Sequence, residues 1–452
     1  MPSSWPRFVA TTTWEDLPVD AQERARVCLL DDLGALLAGL AAPVAGISAG
    51  VARRAWGGDE ATIVVDGARA SVAGAAFANA VAANGTDVDD CALYTWGHPG
   101  AQVFPAALAV AERDALSGAA LLAGMVVGYE VAFRAGRCMH DAETYYRSCG
   151  SWGSLACAAT AANLLKLSEA EVQHALGIAE YHAPDAPMMR DIDAPAMVKH
   201  ACGWGAMTGV AAAQLAAAGF TGIPSILAAE RYAAWVDDIG SIYLITSGIM
   251  WKQHSCCAWA HPALHALRQL QERVPFAAAD VRRIVVTGYR DAVRLGVKLP
   301  ATTEEAQFSV AWPLAAWLVD GEISPAQVLE PRLGDPRVRS LAALIELRES
   351  QEFTRLYDLS EANDPDGAEL AQVEVELDDG RRLDSGTVRF EVYAEEGWGR
   401  ARIEAKFRWL ATPVIPAAQV DRLIDMVWRF QEVPDAAALI RALNDGLRSG
   451  RG

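Results

Sequence analysis

Between Asn84 and Ala106 the chain gathers three aspartates, Asp87, Asp89 and Asp90, with Cys91 and His98. On a helix Asp87, Asp90 and Cys91 share one face, because residues three and four apart are neighbours. Gly97-His98-Pro99-Gly100 must break such a helix and restart the chain, with Pro99 suited to the first helical position. The free N–H groups of that helix start favour an anion and lower the pKa of a nearby imidazole, so a neutral His98 is expected to take a proton near neutral pH. Taken singly, each acid is equally a solvated helix end and His98 a packed core residue.

Two lysines stand out further on. Lys199 is the sole cation in the otherwise apolar, Gly- and Ala-rich run from Met197 to Met207. It either snorkels to water or is held for chemistry. Lys252 precedes a second His-Pro pair, His261-Pro262, in a stretch that also holds His254, Cys256, Cys257 and His265. The adjacent cysteines and the lack of a Cys-x-x-Cys partner argue against zinc, so no metal is expected. Arg147 lies in a Gly-bounded loop beside a helix start, suited either to a carboxylate fork or to plain solvent exposure.

These residues need a scaffold. Apolar positions at three- and four-residue steps predict helices from Pro18 to Leu40, Ala70 to Ala83, Pro105 to Leu116, Ala119 to Cys138 and Ser154 to Leu167. Ser168 and Glu171 form a capping box for the next. Near Pro275 the pattern changes: Val281–Thr287 and Gln372–Leu377 read as strands, the second turning at Asp378-Asp379-Gly380, with helices at Ala306–Leu318 and Pro336–Ile345 between them. From Pro416 the chain is helical again. The fold class is therefore mainly α, a large all-helical domain built from both chain ends (1–272 with 413–452) plus a smaller α+β domain (273–412). Two domains suit 452 residues.

A net charge of -18 argues against nucleic acid or an anionic membrane as partner, so any anionic substrate needs a local cationic cluster. The eight cysteines form no regular framework and fit buried thiols in a reducing cytoplasm. No signal-peptide run and no apolar span long enough to cross a bilayer is read, which predicts a cytoplasmic protein.

The ordered set Leu30–Gly34, Asp87–Asp90 with His98-Pro99, Met197–His200 with Gly203-Trp204, Gly219–Gly222, Lys252 to His261-Pro262, Glu305–Ser309 and Lys406-Phe407 resembles the MmgE/PrpD family. The family includes 2-methylcitrate dehydratase, cis-aconitate decarboxylase and iminodisuccinate epimerase. The resemblance implies homodimers without cofactor and a cleft between the domains for small di- or tricarboxylates, lined by residues matching Asp87, His98, Lys199, Lys252 and His261. It implies a lyase that dehydrates or decarboxylates a substrate such as 2-methylcitrate or cis-aconitate. His98 is the acid or base, oriented by Asp87, and Lys199 and Lys252 hold substrate carboxylates. Arg147, His261, Cys91 and Trp312 complete the substrate contacts. The chain departs from the family at Arg147-Ser148-Cys149, where relatives carry a histidine, at Trp312, where they carry tyrosine, and at Asn84, where histidine is common. A guanidinium cannot serve as an ordinary acid or base, so an Arg147 facing the cleft would clamp a carboxylate. An epimerase of an iminodisuccinate-like acid uses nearly the same parts, and a non-catalytic protein that keeps the fold is the further alternative. A magnesium-dependent prenyl-diphosphate enzyme would want a second acidic cluster facing the first, which Asp31-Asp32 does not obviously supply.

Overall fold

The computed structural model describes residues 4–142, 145–362, 364–390 and 399–450. It is mainly helical, and its helices divide between two apolar cores. The larger core is built from the helices Val19–Gly39, Val72–Ala83, Gly100–Arg113, Gly118–Ala142, Cys149–Leu164, Glu169–Tyr181 and Cys202–Ala217. Small residues let these helices come close. A Cβ on Gly39 would stand 1.7 Å from the Ala82 carbonyl oxygen, so only glycine allows this crossing. Cys149–Leu164 is buried along its whole length, the expected state for a helix apolar on every side. The capping box forms: Glu171 accepts from the Ser168 N–H at 2.8 Å.

The helix Gly118–Ala142 is long and apolar enough to cross a bilayer, contrary to the sequence reading, yet 89% of its most apolar window is buried inside the fold. Glu130 and Arg134 pair across one turn of it at 2.6 Å, and Glu130 also accepts from the Ile245 N–H at 2.8 Å. Those contacts belong to a core helix.

In the smaller body the central strand Val281–Gly288 pairs in parallel with Ile345–Glu349 and antiparallel with Leu370–Leu377, which in turn pairs with Arg382–Asp384. The turn at Gly380 takes φ 87°, as its glycine permits. Alternate residues Ile284, Val286, Val373 and Val375 enter a core shared with the helices His261–Arg273 and Ala311–Asp320. The domain limits read from sequence shift at both ends. Leu264, Leu267 and Leu270 of His261–Arg273 pack in the smaller core, whereas Ile403 and Phe407 of the helix Arg400–Ala411 pack in the larger one. Periodicity shows that a helix has an apolar stripe but not which body covers it.

Candidate active site

The segment from Asn84 to Asp90 is a series of turns, not a helix, and Asp87 sits in the left-handed region at φ 53°. Asp87 and Asp90 therefore do not share a face. Asp90 turns inward, where its carboxylate accepts from the Gly100 N–H at 3.0 Å and lies 2.6 Å from the Tyr129 hydroxyl. This caps the helix Gly100–Arg113, so the N–H expected to bind an anion beside His98 is already taken. Lys406 ties the loop down from the far end of the chain, donating to the Val88 carbonyl at 2.9 Å and pairing with Asp31 at 2.5 Å.

His98 is clasped by the two remaining acids. Its Nδ1 lies 2.8 Å from Asp89 Oδ2 and its Nε2 3.3 Å from Asp87 Oδ1. Asn84 donates to the other Asp89 oxygen at 2.9 Å, so the residue at the departure from the family holds the histidine's partner. Burial alone would lower the His98 pKa, but Asp89 and the neighbouring Cys91 raise it well above the ordinary value. His98 thus rests as an imidazolium, the reverse of the neutral base read from the sequence. Asp87 stays ionised: burial opposes this, yet Lys252, His98 and Lys199 hold its carboxyl below the usual range.

Lys252 reaches this cluster because Ile249-Met250 pairs antiparallel with Cys91-Ala92. Its ammonium donates to Asp87 Oδ1 at 2.7 Å and to the Asp87 carbonyl at 2.9 Å. Burial would lower its pKa, but Asp87 raises it, so the lysine is charged. His200 stacks on His98 with ring centres 4.8 Å apart, and its Nδ1 lies 3.1 Å from Asp191. Lys199, His200 and Ala201 are consecutive left-handed residues at φ 46°, 53° and 62°. Each such residue costs roughly 1–2 kcal/mol, a strain of the kind that collects at functional sites. Sequence reasoning gave Asp89 and His200 no role of their own, although both lie within motifs it singled out.

A cleft opens between the two bodies, lined among others by Asp87, Cys91, His98, His200 and Lys252. Lys199 and His261 stand behind its wall. The Lys199 ammonium donates to Gln307 Oε1 at 2.7 Å, and Gln307 donates to the Gly85 carbonyl at 3.1 Å. His261 is buried, and burial, His254 and Lys252 together push its pKa far down. Two expected substrate contacts are corrected. Residues 145–148 run extended beside 186–188, with Met188 N–H donating to the Tyr146 carbonyl and Ser148 N–H to the Ala186 carbonyl, both at 2.8 Å. Side chains alternate along such a stretch, so Tyr146 faces the cleft while Arg147 turns away to pair with Asp185 and to donate to the Met139 carbonyl at 3.2 Å. Trp312 is fully buried in the smaller core, its indole N–H donating to the Gln327 carbonyl at 2.8 Å.

Asp87, His98 and His200 bring ligand-type atoms within 4.8 Å of one another. The Lys252 ammonium already holds Asp87 Oδ1, so a dication placed there would meet a fixed positive charge. The donor set suits proton handling better than metal binding.

Sequence comparison finds relatives for most of this chain. The MmgE/PrpD N-terminal domain matches residues 5–237 and the MmgE/PrpD C-terminal domain residues 254–432. The chain belongs to the MmgE/PrpD family. Its relatives include a cis-aconitate decarboxylase of Aspergillus terreus, 25% identical over 98% of this chain and 95% of the relative. The cis-aconitate decarboxylase of Homo sapiens is 26% identical over 93% and 90%. That of Mus musculus is 27% identical over 82% and 78%.

Proposed function

We propose that this protein is a lyase that decarboxylates a small carboxylic acid with His98 as proton donor, dehydration being the second reaction of the same type. The observation that carries this reading is the clasp of His98 between Asp87 and Asp89 at the floor of the cleft. A carboxylate held by Lys252, with the charge of Lys199 behind it, places the reacting carbon near His98. When the carbon–carboxylate bond breaks, carbon dioxide leaves and the electron pair stays on the substrate as an enolate-like anion. The more loosely held Nε2 of His98 supplies the proton that quenches it, and Lys252 stabilises the charge meanwhile. Asp87 and Asp89 then compensate a histidine that must regain its proton from water. Dehydration needs a base as well as an acid, and Asp87, with its depressed pKa, is a weak one. An epimerase needs proton-transfer groups on two faces of one carbon, whereas His98 and His200 stack in parallel with 6° between their planes. The relatives' activity supports decarboxylation in the same direction.

A reducing cytoplasm is the proposed location, supported by eight buried free thiols. The test is incubation with cis-aconitate, citrate and 2-methylcitrate in deuterated water, followed by NMR and carbon dioxide release. Deuterium incorporation with loss of carbon dioxide, abolished in His98→Gln, supports the reading. Turnover that survives His98→Gln refutes it.

A further inference from the structure

Behind the floor of the cleft lies a second group of acids that the reaction does not use. Asp31 and Asp32 of the helix Val19–Gly39 are buried beside Asp90 of the turn, with Tyr129 of the helix Gly118–Ala142 between Asp32 and Asp90. Asp31 has Lys406 as its counter-ion, whereas among the described residues neither Asp32 nor Asp90 forms an ion pair. The hydrogen bonds between them require a proton. The Tyr129 hydroxyl oxygen lies 2.6 Å from Asp90 Oδ2 and 3.0 Å from Asp32 Oδ2, but a phenol has one hydrogen and donates to only one of them. The other contact needs a carboxyl O–H that donates to the phenol oxygen. The shorter distance is that of a hydroxyl donating to a charged oxygen. Asp90 Oδ1 also accepts from the Gly100 N–H at 3.0 Å, whereas Asp32 Oδ1 is buried without a hydrogen-bond partner. A buried carboxylate that lacks donors is costly, so the proton belongs on Asp32. Electrostatics agree: burial, then Asp90 and Asp31, push the Asp32 carboxyl well above the ordinary range, with the Tyr129 hydrogen bond acting against them. Burial raises Asp90 as well, but there the Tyr129 hydroxyl and the Gly100 N–H both act against it. The remaining titratable neighbours of Asp32 are Asp89, which adds to its shift, and Cys28, whose thiol burial pushes up; neither brings a positive charge. Gly100 makes room for the arrangement, since a Cβ there would collide with Asp32 Oδ1 and the Tyr129 oxygen.

We propose that Asp32 is a positioning residue of the active site: as a neutral acid it donates to Tyr129, Tyr129 donates to Asp90, and this two-link chain fixes the turn that sets Asp89 on His98. Asp90 is thereby held to the helix start at Gly100, while Asp89, one residue back, reaches the His98 ring. Ionising Asp32 would put a carboxylate on each side of one phenol with no cation between them, and the turn would be pushed off the helix start. The neutral form is favoured only in the folded chain. Asp32 therefore gives up a proton on unfolding above about pH 4; its contribution is full below that pH and is lost as pH rises through the raised folded value.

The experiment compares the full-length parent with D32N, D32A and Y129F. Asparagine keeps the shape of Asp32 and a donor toward Tyr129 but has no proton to lose. D32N should therefore gain stability over the parent as pH rises from about 5 to about 7, by up to about tenfold in the unfolding equilibrium per pH unit, read by urea unfolding. An NMR titration of the His98 ring should give nearly the parent midpoint in D32N. In D32A and Y129F, where the chain is cut, that midpoint should fall by roughly one pH unit. A stability difference between D32N and parent that is the same at both ends of this pH range overturns the neutral acid. A His98 midpoint in Y129F equal to the parent's overturns the positioning role, whether or not D32A folds.

Discussion

Replacing Asp89 by asparagine keeps the shape of the His98 clasp but removes the charge that holds the proton on the ring. The hydrogen bond at issue is 2.8 Å long and fully buried on the aspartate side. A hydrogen bond to a charged group in such a setting is worth about 1.5–3 kcal/mol, or roughly 10- to 100-fold in the proton affinity of His98. Asp87, at 3.3 Å and shared with Lys252, compensates only in part. In the parent the folded-state pKa of His98 lies above the ordinary histidine value, so the stabilising charge is present in full below about pH 6.5 and is lost only as pH rises through the raised folded value. In Asp89→Asn that loss sets in at lower pH. The alkaline limb of kcat, which reports deprotonation of the acid, should move down in parallel, while kcat on the acid side changes far less. A pH–rate profile paired with an NMR titration of the histidine ring reads both. An alkaline limb at the same pH in parent and variant would refute the assignment of His98 as a proton donor held charged by Asp89.

Lys252→Ala leaves the buried Asp87 without its main counter-ion and should destabilise the fold by about 3–5 kcal/mol, measured by urea unfolding; a loss below 1 kcal/mol would show that Asp87 simply takes up a proton. Arg147→Lys should leave KM and the pH profile of kcat unchanged, because the guanidinium faces Asp185 and not the cleft; a rise in KM for the true substrate would restore the carboxylate-clamp role. The chain should be a homodimer in solution, since Met197, Val198, Trp204, Phe220 and Ile223 leave large apolar side chains exposed around one helix. Light scattering should give twice the chain mass, and Trp204→Asp should reduce it to the monomer; a monomeric parent would disprove the association.

The mainly helical architecture and the smaller α+β body were legible from local signals, and so was the clustering of acids and a histidine between Asp87 and His98. Apolar periodicity, the capping box at Ser168 and the His-Pro breaks depend on residues a few positions apart, and short-range physics is what a sequence displays directly. Family resemblance added the pairing of that segment with Lys199 and Lys252. The orientations were decided by contacts hundreds of residues apart. Which aspartates face His98 depends on a turn at Asp87 with positive φ, held by Lys252 from one side and, through Val88, by Lys406 from another. The histidine's protonation followed the same way: a helix start would have made it neutral, but Asp90 covers that start and Asp89 sits on the ring. Arg147 and Trp312 had the right residue types for their expected roles and the wrong directions. A one-residue step along an extended stretch turns a side chain from the cleft to the opposite side, and an indole finds its partner wherever the packed core offers a free carbonyl. Residue types fixed in the chain thus determined which chemistry was available, while the packing of the two bodies determined which groups meet and in what charge state.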